Sequence, residues 1–248
     1  MKKHLFVFLA AALLMLVFSF SALADGPTYW DDGTQSYQFY APSYGIVICR
    51  QMTVRDRAAT NGASLGSLKN GQPIKILGKS ADGNFYVVDL ASCGIQNAGG
   101  LTVGYAKSSL IKIDPQFLAS TRLTNIYATP WSTALKNGEH VDRFWLVLDQ
   151  QSNWYAVQAM ESSVGTGFIL ANDIGNYSNY QQKYVITWDN IPLLDESTWA
   201  QTQTLRRFSV GTAVSISGND YTLLVFNEGQ PTEFRGWVSD QYIAPIIN

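Results

Sequence analysis

The chain has 248 residues, of which 15% are charged and 13% aromatic, with 17 basic side chains against 19 acidic ones. That composition excludes a disordered or highly solvated chain. It also lacks the basic excess with which proteins meet nucleic acid or an anionic lipid surface, so neither is expected as a partner.

At the N-terminus Lys2 and Lys3 precede an apolar and small-residue run from Leu5 to Phe20. Ala22-Leu23-Ala24 then offers small residues at the −3 and −1 positions of a cleavage site. The pattern predicts a signal peptide over residues 1–24. As a spanning helix the run is short of the about 20 residues a bilayer requires. No Cys stands at the cleavage site, where Asp25 follows Ala24, and no second long apolar stretch exists, so the mature chain is expected to be exported, secreted or wall-associated, without a stable membrane anchor. Cleavage leaves 15 basic residues against 19 acidic. Residues 25–45, rich in Gly, Tyr, Asp and Ser, form an N-terminal extension.

Three recurring elements follow. The opening segments are Thr53-Val54, Asn125-Ile126 and Asn190-Ile191. Next come Leu68-Lys69-Asn70-Gly71 and Leu135-Lys136-Asn137-Gly138, with Phe208-Ser209-Val210-Gly211 as a weaker third version. Asn-Gly supplies the positive φ of a tight turn, so each reads as a turn into a strand. Asn84-Phe85-Tyr86-Val87-Val88, Asn153-Trp154-Tyr155-Ala156-Val157 and Asn219-Asp220-Tyr221-Thr222-Leu223 read as a polar turn entering an aromatic strand. Last, Gly104-Tyr105, Gly167-Phe168 and Gly236-Trp237 are each followed, seven residues after the Gly, by Ile111, Ile174 and Ile243. This predicts a strand, a polar 3₁₀ turn and a short closing strand, with the aromatics in the core. The copies span 46–113, 117–176 and 183–246. No useful helical period appears in the mature chain, so the fold class is all-β. Modules of roughly 60 residues have marginal cores, and the short linkers predict modules packed side by side.

These elements together resemble the bacterial SH3 (SH3b) domain. The first copy carries the resemblance best, through Met52-Thr53-Val54-Arg55, Leu65-Gly66-Ser67-Leu68-Lys69-Asn70-Gly71-Gln72-Pro73-Ile74, Asn84-Phe85-Tyr86-Val87-Val88 and Gly104-Tyr105-Ala106-Lys107-Ser108-Ser109-Leu110. The third keeps the closing motif Gly236-Trp237-Val238-Ser239-Asp240-Gln241-Tyr242-Ile243, and the second is linked mainly through the first. The resemblance implies three tandem SH3-like small β-barrels. It further implies a non-catalytic binding protein that recognises cell-wall peptidoglycan or a related surface polymer. The alternative is a protein-interaction or structural module docking to a secreted or surface partner.

The residues show no catalytic set. Cys93 and His140 fall in different copies, and Asp195 and Glu196 are adjacent in an extended segment, which points them to opposite sides. No metal site or cofactor is expected, since His140 is the one His of the mature chain. Flat aromatics suit stacking on sugar rings or packing on peptide. Trp131, after Pro130 in a loop, Trp188, and Trp199 in the long loop before Phe208 are the candidate ligand contacts. Asp56 and Arg57 are polar rim candidates. Cys49 and Cys93 would close a loop of 44 residues if bridged, which is worth about 4 kcal/mol in the chain-entropy account. Two buried free thiols are the alternative.

Overall fold

The computed structural model describes residues 27–29, 35–96, 98–120, 124–132, 135–140, 144–160, 165–174, 183–217, 220–226 and 233–247. The expected signal segment 1–24 lies outside them. Among the described residues no helix is long and apolar enough to cross a membrane.

The described residues form three antiparallel sheets. The first holds β1 (Pro27–Tyr29), β2 (Gln35–Val47), β3 (Gln51–Arg55), β4 (Ser64–Lys69), β5 (Pro73–Ser80), β6 (Phe85–Asp89), β7 (Val103–Lys107) and β8 (Ile111–Ile113). The second holds β9 (Phe117–Ala119), β10 (Thr124–Tyr127), β11 (Leu135–His140), β12 (Phe144–Gln151), β13 (Trp154–Ala159) and β14 (Thr166–Leu170). The third holds β15 (Lys183–Ile186), β16 (Ile191–Leu194), β17 (Gln201–Leu205), β18 (Val210–Ser217), β19 (Asp220–Phe226), β20 (Glu233–Ser239) and β21 (Ile243–Pro245).

One strand order recurs. It runs β4-β3-β7-β6-β5-β2 in the first sheet, β11-β10-β14-β13-β12-β9 in the second and β17-β16-β20-β19-β18-β15 in the third. The seven-residue spacing is explained by the turn that follows each Gly-aromatic strand. Ser108–Leu110 and Asp240–Tyr242 are 3₁₀ turns leading into β8 and β21, and Ala171–Ile174 is a single α-helical turn. Ile111, Ile174 and Ile243 each enter the core of their own sheet.

The glycine of each pair sits where the opening strand crosses its neighbour. A Cβ on Gly104 would lie 2.6 Å from Val54 Cγ1, and one on Gly236 would lie 2.5 Å from the Leu194 carbonyl oxygen. On Gly167 it would run into Ile126 Cγ2. Val54, Ile126 and Leu193 are core residues, so these glycines face the cores. Side chains alternate along a strand, so the aromatic that follows each glycine faces the other way. The expectation of core aromatics is therefore corrected for Phe168 and Trp237, which are half-buried and join neither the second nor the third core; Tyr105 is buried as expected, at 2% exposure. Tyr105 joins a separate outer cluster with Phe85 and Val87, under Ala58.

The turn elements also shift. Asn70-Gly71 is the expected turn, with Gly71 at φ +79° and its N–H donating to the Val47 carbonyl. In the third sheet the same place is taken by Phe208, at φ +66°, whose N–H donates to the Ile186 carbonyl. Leu205-Arg206-Arg207-Phe208 is thus the counterpart of Leu68-Lys69-Asn70-Gly71, and Gly211 lies inside β18. In the second sheet Leu135-Lys136-Asn137-Gly138 lies within β11. Residues 35–45, read as an extension outside the first copy, belong to the long β2. Ser36 to Gln38 pair with Ser80 to Gly78, and Ser43 to Ile46 with Ile76 to Pro73, across a bulge.

The sheets share a core. In each first strand one residue faces its own sheet and the next faces the junction. Val47, Leu118 and Ile186 point into the separate cores, while Ile46, Phe117, Ala119 and Val185 point into the common one. Phe144 and Leu146 join it from β12, whose Trp145 and Val147 point the opposite way. This explains the unbroken apolar run Phe144-Trp145-Leu146-Val147, buried on both faces. Phe208 stacks on Phe144 with centroids 5.4 Å apart. Polar contacts close the seams. Gln158 Nε2 donates to Asn70 Oδ1, Gln241 Nε2 to the Ser92 carbonyl, and Lys112 Nζ to the Leu148 carbonyl.

Candidate functional site

Asp56, Arg57, Trp131 and Trp199 lie in the tip loops of equivalent hairpins, β3–β4, β10–β11 and β16–β17. Each hairpin touches its Gly-aromatic strand through one pair just before the tip: Arg55 with Tyr105, Tyr127 with Phe168, Leu194 with Trp237. The hairpin tip therefore stands beside the outward-facing aromatic.

The three tips differ chemically. In the first, Asp56 Oδ1 accepts from the Ala63 N–H, Arg57 Nη2 donates to the Asn61 carbonyl and Arg55 Nη1 to the Gly62 carbonyl. Asp56 and Arg57 thus brace their own loop. In the second, Trp131 is 70% exposed and has φ +59°. Beside that loop Tyr127 meets Trp154 edge to face at 5.1 Å and donates to Asp173.

The third tip is the most constructed. Asp195 Oδ1 accepts from the backbone N–H groups and the hydroxyls of Ser197 and Thr198. These bonds hold its carboxyl well below the usual carboxylate range. The Asp195 N–H donates to the Ala200 carbonyl and the Trp199 N–H to the Asp195 carbonyl. This turn sets Trp199 at φ +58°, a region that bulky residues avoid. The indole is 56% exposed and stacks on Trp237, centroids 5.8 Å apart and planes 17° apart. Beside it, Glu196 accepts a two-pronged pair from Arg235, so the adjacent acids Asp195 and Glu196 brace the turn and its flank.

Trp188 does not join this group. It lies at the opposite end of the β16–β17 hairpin, roughly 10 Å of strand away. There it packs against the third core with the Arg207 guanidinium 5.8 Å from its ring. The structure therefore divides Trp131, Trp188 and Trp199 among separate places.

Cys49 and Cys93 are free thiols, so the bridge is not formed. Both contribute to the first core, Cys93 buried within it and Cys49 packed against it. Burial pushes the Cys93 thiol up to about 12 and raises that of Cys49, which disfavours the Cys93 thiolate that bridge formation by exchange would use. The Cys93–His140 pairing considered above puts one partner in the first sheet and the other on β11 of the second; the His140 side chain lies outside the described set. Among the described residues no group of His, Cys, Asp and Glu is placed to hold a metal ion.

Residues 51–112 match the family model of the bacterial SH3 domain. The fold is the all-β, SH3-like one expected from the sequence. No curated protein matches the chain. Among solved structures it is similar to NlpC2 from Trichomonas vaginalis, with 9% identity over 82% of this chain and 99% of that one, at a TM-score of 0.24. It is also similar to NlpC1 from the same organism, with 11% identity over 88% and 100%, at a TM-score of 0.22. A novel NlpC/P60 endopeptidase from Photobacterium damselae subsp. piscicida shows 11% identity over 82% and 66%, at a TM-score of 0.23. Scores this low carry neither an activity nor a fold to this chain.

Proposed function

We propose that this chain is an exported, non-catalytic binding protein that recognises cell-wall peptidoglycan or a related surface polymer. The observation that carries the reading is the pair of exposed tryptophans, Trp131 and Trp199, held at positive φ on the tips of equivalent hairpins. A bulky residue in that backbone region costs about 1–3 kcal/mol and persists where the surroundings over-determine it. An exposed indole also forfeits the burial that normally stabilises it. Both costs fit a surface that acquires its partner from outside the chain. The match of residues 51–112 to the bacterial SH3 domain supports a wall-related binding role. Cys93, buried and with its thiol pushed up to about 12, is poorly suited to act as a nucleophile, which supports the non-catalytic part.

The test is sedimentation of the purified mature protein with purified sacculi at moderate salt, alongside a zymogram on the same wall material. Co-sedimentation without clearing is the expected result. Folded protein that stays in the supernatant refutes the binding role, and clearing of the gel refutes the absence of catalysis.

A further inference from the structure

The outer faces of the three sheets differ at one cross-strand position. Tyr105 pairs with Val87, Phe168 with Ala156, and Trp237 with Thr222. In the first sheet the position is apolar, and the Tyr105 hydroxyl has a partner in Ser36 Oγ at 3.4 Å. In the third, both members carry a polar atom. Trp237 Nε1 and Thr222 Oγ1 are buried and, among the described residues, find no hydrogen-bond partner; Thr222 is 0% exposed. A buried polar atom left without a partner is costly. The equivalent Val87 and Ala156 show that the fold does not require one here. Trp199, the exposed tip residue, stacks directly on Trp237.

We propose that Trp199, Trp237 and Thr222 form a binding site for a neutral glycan on the outer face of the third sheet. This rests on the wall-polymer reading above and names the part of the polymer that is held. A sugar ring lies on the free face of the Trp199 indole, where its C–H groups meet the π surface. A hydroxyl of the neighbouring sugar, as donor and acceptor at once, accepts from Trp237 Nε1 and donates to Thr222 Oγ1 once the edge of the Trp199 ring moves aside. The ligand carries no anionic group, because the Arg235 guanidinium is already paired with Glu196 and the Asp195 carboxylate, held by neutral donors of its own turn, would repel one. An extended peptide added as a strand is disfavoured. β19 and β20 are interior strands, with β18 and β16 on their outer sides, so no backbone edge is offered here.

The experiment is calorimetric titration of the mature protein with chitotetraose, a neutral β-1,4-linked tetrasaccharide, against a capped tetra-alanine peptide. Saturable binding of the tetrasaccharide and none of the peptide is expected. Trp199→Ala is expected to weaken it about tenfold, the loss of one good stacking contact, while Trp131→Ala stays within about twofold. Thr222→Val, nearly isosteric, is expected to weaken binding about fivefold while leaving the Tm unchanged or raised, since it removes an unmatched hydroxyl. A merely structural threonine would lower the Tm instead, and that result overturns the proposal. So does preference for the peptide, absence of tetrasaccharide binding, or full binding by Trp199→Ala with native near-UV dichroism. If any of these occurs while wild-type protein still sediments with sacculi, the glycan site fails and the wall-binding role stands. If wild type does not sediment, the wall-binding role itself fails.

Discussion

Replacing the glycine of a Gly-aromatic pair by alanine tests whether that residue is set by close packing of the opening strand. In Gly236→Ala the new methyl would sit 2.5 Å from the Leu194 carbonyl oxygen and 2.8 Å from Leu193 Cγ. The obstacle includes backbone, which cannot rotate aside, so β16 must retreat by several tenths of an ångström. In Gly104→Ala the nearest atoms are side-chain methyls, Val54 Cγ1 at 2.6 Å and Leu90 Cδ2 at 2.9 Å, with the Arg55 carbonyl at 3.2 Å. Those methyls can yield by small rotamer changes. Overpacking costs about 1–3 kcal/mol, which places Gly236→Ala near the upper end and Gly104→Ala near the lower. For a chain of this size 1 kcal/mol is worth about 2–4 °C in Tm, so Gly236→Ala is expected to lose about 6–12 °C and Gly104→Ala about 2–4 °C. Calorimetry at matched concentration and pH gives both numbers. A Gly236→Ala variant within about 0.5 kcal/mol of wild type, the range of ordinary surface substitutions, refutes the reasoning. So does the reverse ranking.

Phe144→Ala removes a ring that is 2% exposed in the common core and stacked on Phe208. It is expected to cost about 3–5 kcal/mol in urea unfolding, and a loss below about 1 kcal/mol would mean that the sheets do not depend on that core. The depressed carboxyl of Asp195 contributes to its turn above the ordinary carboxylate value of about 3.9, and the contribution disappears as pH falls through the lower, folded-state value. Tryptophan emission is therefore expected to stay flat from neutral pH through the ordinary carboxylate range and to change only below it. Asp195→Asn should remove that acid-side step, and an unaltered step in the variant assigns the change to another group. In thiol labelling at mildly alkaline pH, Cys49 is expected to react first, with Cys93 protected until unfolding; equal rates in the native state would contradict the burial of Cys93.

Much of this architecture is legible in the sequence because its constraints are local and steric. Gly104, Gly167 and Gly236 recur because any Cβ collides with the opening strand, and the Ile seven residues on recurs because a short helical turn returns it to the core. The facing of the aromatics was also available. A glycine pressed against the core sends its neighbour outward, so one alternation step places Trp237 beside the hairpin tip. The aligned stretches Asn84–Val88, Asn153–Val157 and Asn219–Leu223 likewise set Thr222 against Val87 and Ala156. Other features are tertiary in origin. Phe208 stands where Gly71 stands in the first copy, which hides the equivalence from a search for Asn-Gly, and its backbone is held by stacking on Phe144 and by the Arg207 guanidinium 4.6 Å from its ring. Strand β2 runs past the expected boundary because Ser36 to Gln38 pair with the far end of β5, from Ser80 to Gly78. The separation of Trp188 from Trp199 follows from hairpin geometry and has no counterpart in composition.

The shared core bears on how a three-sheet chain can carry one specialised face. Each first strand commits one residue to its own sheet and the next to the junction, so the three sheets are coupled through Ile46, Phe117, Phe144 and Val185. The outer faces lie away from this junction. There a substitution disturbs a local cross-strand pair and leaves the coupling intact, as Val87, Ala156 and Thr222 illustrate on the same strand order. The first sheet uses its outer face as a sealed satellite core of Phe85, Val87 and Tyr105 under Ala58. The third leaves two polar atoms unmatched beneath an exposed indole. With the glycan site proposed above, recognition is assigned to the third sheet. Affinity for a single short glycan should then follow the third-sheet site of Trp199, Trp237 and Thr222, with no multiplication across three equal sites.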